Sequence, residues 1–176
     1  MRILAFFLLV LSVFLMGPAQ NTTTVRSAIQ QLQPRVTDER AERLAEIIVR
    51  AGEESDIEPF LIASIIMRES SFQTEVERLE VFGEARGEPG LMQTHGASLR
   101  LRPDHCSYSI ETAECQIFTG TRWLAFAREQ CGGSMWRWVS AYGRRACPSE
   151  RLAREEHRVA LVRDYYMSIG GTSWEE

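Results

Sequence analysis

Pro59-Phe60-Leu61-Ile62-Ala63-Ser64-Ile65-Ile66-Met67-Arg68-Glu69-Ser70-Ser71-Phe72 decides the fold. From Phe60 to Met67 nearly every residue is apolar, which leaves no face for water. A helix that is hydrophobic all round belongs in the middle of a core. Pro59 suits its first position, where a missing N–H costs nothing. The run stops at Arg68-Glu69. A carboxylate there stands near the negative end of the helix dipole and beside a dry interior. Both effects disfavour the charged form, as an acid that must still hold a proton near neutral pH requires.

Upstream, Thr37 or Asp38 is expected to cap an amphipathic helix. Its stripe is Ala41, Leu44, Ala45, Ile47, Ile48 and Ala51, with Gly52 as the stop. Before it, residues 20–36 are rich in Asn, Thr and Gln and read as a loosely attached polar arm. The first residues read as an address. Met1-Arg2 precede an uncharged run from Ile3 to Met16, then Gly17 and Ala19 supply small residues for cleavage. That run is shorter than the ~20 residues of a spanning helix. The expected organisation is a signal peptide over 1–19, the arm over 20–36 and one domain over 37–170. Export to the periplasm or beyond follows.

Downstream of Phe72 the periodicity fades. Thr74 to Leu79 reads as an irregular turn or short helix, and Gly83, Gly87, Pro89 and Gly90 mark a loop from which Leu91-Met92-Gln93 emerges. Pro103 to Ser109 is a second loop. A helix then runs from about Glu111 to Gln130, burying Ile117, Leu124 and Ala127, with Gly120 permitting close backbone approach. Ser134 caps a shorter helix carrying Trp136, Trp138, Val139 and Tyr142, the tryptophans assigned to core and rim. Ser149 caps the last, with Leu152, Val159, Val162 and Tyr166 inward and Gly170-Gly171 as the stop. No strand run is convincing, so the class is mainly α.

The chain has no lysine and a net charge of −4, one unit more negative without Arg2. An acidic balance with no basic block argues against nucleic acid as a partner. The four cysteines of an exported chain predict two disulfides. If Cys115 to Cys131 is one helix, a rise of ~1.5 Å per residue sets them roughly 24 Å apart, beyond the ~7 Å a disulfide tolerates. That pairing falls, and Cys106–Cys147 with it. The expected bonds are Cys106–Cys115 and Cys131–Cys147, each closing a short loop onto one helix end. His95, His105 and His157 offer further ligands, but no spacing suits zinc. Neither metal nor cofactor is expected.

Glu69-Ser70-Ser71-Phe72, Gly90-Leu91-Met92-Gln93 and Ala141-Tyr142 occur in that order. The set resembles the soluble lytic transglycosylases, which cleave bacterial peptidoglycan. Ile57-Glu58-Pro59 is similar to the turn ahead of that family's catalytic helix. Gln116-Ile117, Gly120 and Trp123-Leu124 look like its Asn-Ile-x-x-Gly-x-x-Tyr-Leu helix. The likeness spans roughly Thr37 to Ile169. It implies a lysozyme-like single domain with a central buried helix and a loop-rich substrate groove. Glu69 would be the catalytic acid, with Ser70, Gly90, Leu91, Met92, Gln93 and Tyr142 around the substrate.

Three departures stand out. Gly143 replaces the usual Asn after Ala-Tyr, so a neighbour must take over its contact or the contact is dispensable. Arg158 replaces the aromatic residue often found before Val159-x-x-Val162. Thr94-His95-Gly96 follows Gln93 in place of an apolar residue and Pro.

Glycosidic cleavage needs a proton delivered to the leaving oxygen. Glu84 and Glu88 are the only other candidate carboxylates, and both read as solvated loop charges. The family instead uses one group as acid and then base, closing a 1,6-anhydro ring on muramic acid without water. The expected activity is therefore a lytic transglycosylase acting as a monomer on glycan strands, with a secretion or pilus assembly as a further partner class. The competing readings are a lysozyme-type hydrolase on the same scaffold and a non-catalytic wall-binding protein.

Overall fold

The apolar run becomes the centre of the molecule. The computed structural model describes residues 21–81, 89–107, 110–144, 146–149 and 153–174. Seven α-helices and no strand occur among them: α1 (Thr22–Leu32), α2 (Asp38–Ser55), α3 (Pro59–Ser70), α4 (Thr74–Glu77), α5 (Ala113–Cys131), α6 (Met135–Arg144) and α7 (Ala153–Ser168). The expected signal segment, Leu152, Glu84 and Glu88 lie outside the described residues.

In α3 every residue from Phe60 to Ile66 is buried. Burying each Leu or Ile contributes about 1.5–3 kcal/mol. Ser64 is tolerated there because its hydroxyl donates to the Phe60 carbonyl at 2.7 Å. Two consecutive residues with positive φ, Ser71 at 50° and Phe72 at 55°, stop the helix. They turn Phe72 into the core, where it is 2% exposed.

The N-terminal segment corrects the sequence reading. Residues 22–32 are not a loose arm but helix α1, capped by Asn21, whose side-chain oxygen accepts from the Thr24 amide at 3.0 Å. Val25, Ala28 and Ile29 supply a minimal i, i+3, i+4 stripe, and all three join the main core. Composition hid that stripe among polar neighbours. Two glutamines fasten the segment further. Gln31 donates to the Ser168 carbonyl at 2.7 Å, and Gln33 to the Ser71 carbonyl at 3.2 Å.

Gly52 also differs from expectation. Helix α2 runs past it to Ser55 and ends on Asp56, whose φ is 52°. The glycine instead provides clearance, since a Cβ on it would lie 2.6 Å from the Ile57 carbonyl oxygen. It lets the chain double back into α3.

Helix α7 is tied to both ends of α3. Tyr166 donates to the Glu58 carboxylate just ahead of α3, and Arg158 meets Glu69 in its last turn. The two helices therefore run antiparallel. Burial, then Glu58, pushes the Tyr166 phenol up to about 12, so it remains a donor. The disulfides are Cys106–Cys115 and Cys131–Cys147, with Cα separations of 5.7 and 5.2 Å. They pin opposite ends of α5, as the helix-length argument requires. The second also holds the chain between α6 and α7.

Candidate active site

The buried run in α3 delivers Glu69 to the helix terminus with only 10% of its side chain exposed. Its backbone carbonyl belongs to the last turn and needs a partner from outside the helix. Gln93 supplies one, donating from its side-chain amide. Gln93 itself has a positive φ of 45°, an uncommon conformation for a non-glycine residue that cost is usually tolerated near functional sites. The turn bearing Gln93 is thus bonded to the helix bearing the acid.

That turn is held from below. Gly90, with φ of 85°, lies against Gln116, where a Cβ would come within 2.7 Å of its Cγ. The Gln116 side-chain oxygen accepts from the Leu91 amide at 2.8 Å, and its nitrogen donates to the Glu77 carbonyl at 2.7 Å. One buried amide thereby joins α5, the turn and α4. Met92 packs onto Gly120, whose absent Cβ would lie 2.6 Å from Met92 Cβ and Sδ. The close approach expected at Gly120 is made by this methionine.

Several side chains expected at the substrate are therefore elsewhere. Leu91 and Met92 are fully buried and have no side-chain surface to offer a sugar. Ser70 is buried and donates back to the Ile66 carbonyl at 3.0 Å, so it orients no carboxylate. Helix geometry satisfied its hydroxyl locally. Trp136 and Trp138 are core residues. Gln93 is half-buried and stands at the acid.

Tyr142 donates to the Met92 carbonyl at 2.6 Å rather than to Glu69. Burial drives its phenol well above 10, the negative charge of Glu69 adds to this, and Arg158 partly opposes it. The phenol stays neutral and acts as a fixed strut between α6 and the turn. Its electrical coupling to both groups places it in the same cluster.

The side chain that does hold the acid is Arg158. Its Nη2 lies 2.6 Å from Glu69 Oε1, with 21% of the arginine side chain exposed. Sequence reading met Arg158 only as a departure from pattern. The available signal was the coincidence of a lost side chain at Gly143 with a gained cation at Arg158.

A second network was missed altogether. Arg40 donates to Glu77 Oε2 from Nε at 2.9 Å and from Nη2 at 2.6 Å, and to the Phe72 carbonyl from Nη1 at 2.6 Å. Arg43 reaches Glu77 Oε1 at 2.5 Å. This cluster braces the chain that leaves α3.

Compared with known families, the chain matches the Transglycosylase SLT domain over residues 46–156, well over half its length. The chain belongs to this family. No curated protein and no solved structure matches it. The matched span runs from α2 into α7 and includes Glu69, the Gly90–Gln93 turn, Gln116 and Tyr142. At family level the activity is transglycosylase-type cleavage of peptidoglycan, and the fold is lysozyme-like. Gly143 falls inside the matched span and Arg158 just beyond it. As for metals, the ligand atoms of His105, Cys106 and Cys115 come within 4.8 Å of one another. The two sulfurs are bonded to each other and so are not thiolate ligands. A separate cleft of about 830 Å³, lined by Glu58, Met135, Trp138 and Thr172 among others, opens at the far end of α3, and Glu69 does not line it.

Proposed function

We propose that this chain is an exported lytic transglycosylase that cleaves between N-acetylmuramic acid and N-acetylglucosamine and leaves a 1,6-anhydromuramic end. The observation that carries the reading is the placement of Glu69. It is a largely shielded carboxyl at the end of the core helix, with its backbone clamped by Gln93. Protonated Glu69 gives its proton to the glycosidic oxygen as the C1–O bond breaks. The resulting carboxylate takes the proton of the muramic C6 hydroxyl, whose oxygen closes on C1. The proton inventory balances with no water consumed, and one group serves as acid and then base.

The remaining residues support that group. Gln93 lines the approach to the acid, while Gly90, Leu91, Met92 and Tyr142 set the shape of the turn from beneath. Export is proposed from the charged start, apolar run and small residues of 1–19. Two formed disulfides fit the oxidising compartment this implies.

Digestion of purified peptidoglycan followed by mass spectrometry tests the reaction. The expected muropeptides are one water lighter than lysozyme products. Reducing-end products would transfer the protein to the hydrolase reading, and an absence of any cleavage would favour a wall-binding role. N-terminal sequencing of the exported protein tests the processing at 1–19.

A further inference from the structure

The two departures meet in space. Gly143 lies in the last turn of α6 and is not among the positive-φ glycines. Backbone freedom therefore does not explain it, and a glycine weakens a helix relative to alanine. Space does explain it. A Cβ at position 143 would sit 1.0 Å from Arg158 Nη1, 1.9 Å from Cζ and 2.3 Å from Nη2. The guanidinium fills the volume that any side chain at 143 would claim, and from there it donates to Glu69 Oε1 at 2.6 Å.

We propose that Arg158 is a positioning residue that restrains Glu69, and that Gly143 is the gap admitting its guanidinium to the carboxylate. This rests on Glu69 being the acid of the proposed reaction. A carboxylate oxygen that accepts from a guanidinium is neither carrying a proton nor open to a leaving group's oxygen. In the resting site Oε1 is in that state. The two other side chains of the cluster do not compete for it: Tyr142 is committed to the Met92 carbonyl and Gln93 to the Glu69 carbonyl. The long, partly exposed arginine must swing off before Oε1 can take part in proton transfer, and turnover through that oxygen carries the cost of opening the pair.

The geometry makes a specific demand on variants. Because the obstructing atoms belong to the end of a flexible side chain, Gly143→Ala displaces the guanidinium without disturbing the core. It should then behave as Arg158→Ala does. Steady-state kinetics on soluble glycan strands are measured for the wild type, Gly143→Ala, Arg158→Ala and the double variant. Each single change is expected to raise kcat/KM by about tenfold, the size of one charge-assisted hydrogen bond. The double variant should show no further rise. A fall in kcat/KM on removing Arg158 would make the guanidinium an aid to the reaction and overturn the restraint. Multiplying effects in the double variant would overturn the link between the two positions.

A second measurement does not depend on catalysis. Glu69→Gln and Arg158→Ala should be coupled in a urea-unfolding cycle, and the coupling should vanish in a Gly143→Ala background. Its persistence there would overturn the role given to Gly143; its absence from the wild type would overturn the restraint itself. If no variant cleaves glycan while the unfolding cycle behaves as expected, the enzyme reading fails and the Gly143–Arg158–Glu69 arrangement stands.

Discussion

Glu69 and Glu77 are two shielded carboxylates on neighbouring helices, with 10% and 13% of their side chains exposed, and both accept from arginine. Glu77 is over-determined. Arg40 and Arg43 engage both of its oxygens, and its carbonyl takes Gln116. Burial alone would raise its pKa, yet the hydrogen bonds and charges of the two arginines outweigh that and hold it below the ordinary 4.5. Among the described residues the cation on Glu69 is Arg158, brought on one long side chain through the space left by a glycine. Redundant partners from adjoining helices fix a charge in place. A movable partner leaves it available for chemistry.

The sharpest way to break this comparison is to neutralise each acid in turn. Glu69→Gln should cut peptidoglycan cleavage by about 100- to 10,000-fold or more, since the amide fills the same space but delivers no proton. Its circular dichroism and melting curve should remain those of a folded protein. Full activity in this variant would end both enzyme readings. Glu77→Gln should do the reverse, losing about 2–3 kcal/mol in urea denaturation because Arg40 and Arg43 are left facing a neutral group. Its folded fraction should still cleave. A Glu77→Gln protein of unchanged stability would remove the bracing role.

Gln116→Ala tests how the two regions communicate. It leaves the Leu91 amide and the Glu77 carbonyl unpartnered in a buried site, at about 1–3 kcal/mol. Hydrogen exchange at Leu91 should accelerate, and cleavage should weaken as the turn loosens beside Glu69. Unchanged exchange would show that another group holds the turn.

Acid sharpens the contrast further. The lowered pKa of Glu77 means its carboxylate is favoured in the folded state. That stabilisation is present above the unfolded value near 4.5 and is lost as pH falls through the lower folded value. Urea midpoints should therefore drop on acidification below this range, and the acid slope should be shallower in Glu77→Gln. Equal slopes would exclude Glu77 as a source of the acid sensitivity.

The smallest expected effect is that of Tyr142→Phe, which removes one buried bond to the Met92 carbonyl. A loss of about 1 kcal/mol in stability is expected, with activity within tenfold of wild type. A collapse comparable to that of Glu69→Gln would show that the phenol takes part in the chemistry.

Much of the fold was legible because its causes are local or one-dimensional. The nearly all-apolar run of α3 reads as a core helix, and Thr37 and Pro59 mark helix starts where the structure has them. The disulfide pairing followed from the length of α5. Gly120 announced a close approach before its partner, Met92, was known. The polar stretch holding α1 escaped because three small or branched apolar residues suffice when they land on one face, and composition averages them away.

What the chain order alone determined was the main helices other than α1, the disulfides and the placement of Glu69 at the end of the buried helix. Tertiary structure alone decided what each chemical group faces. It set Tyr142 on Met92 rather than Glu69, sealed Leu91 and Met92 beneath the turn, put Gln116 between Leu91 and Glu77, and brought Arg158 through the Gly143 gap to the acid. The physical reason is that periodicity and caps are properties of single elements, readable along the chain. The partner of a polar group depends on which surfaces pack together and on the volumes left between them, and no spacing in the sequence records those.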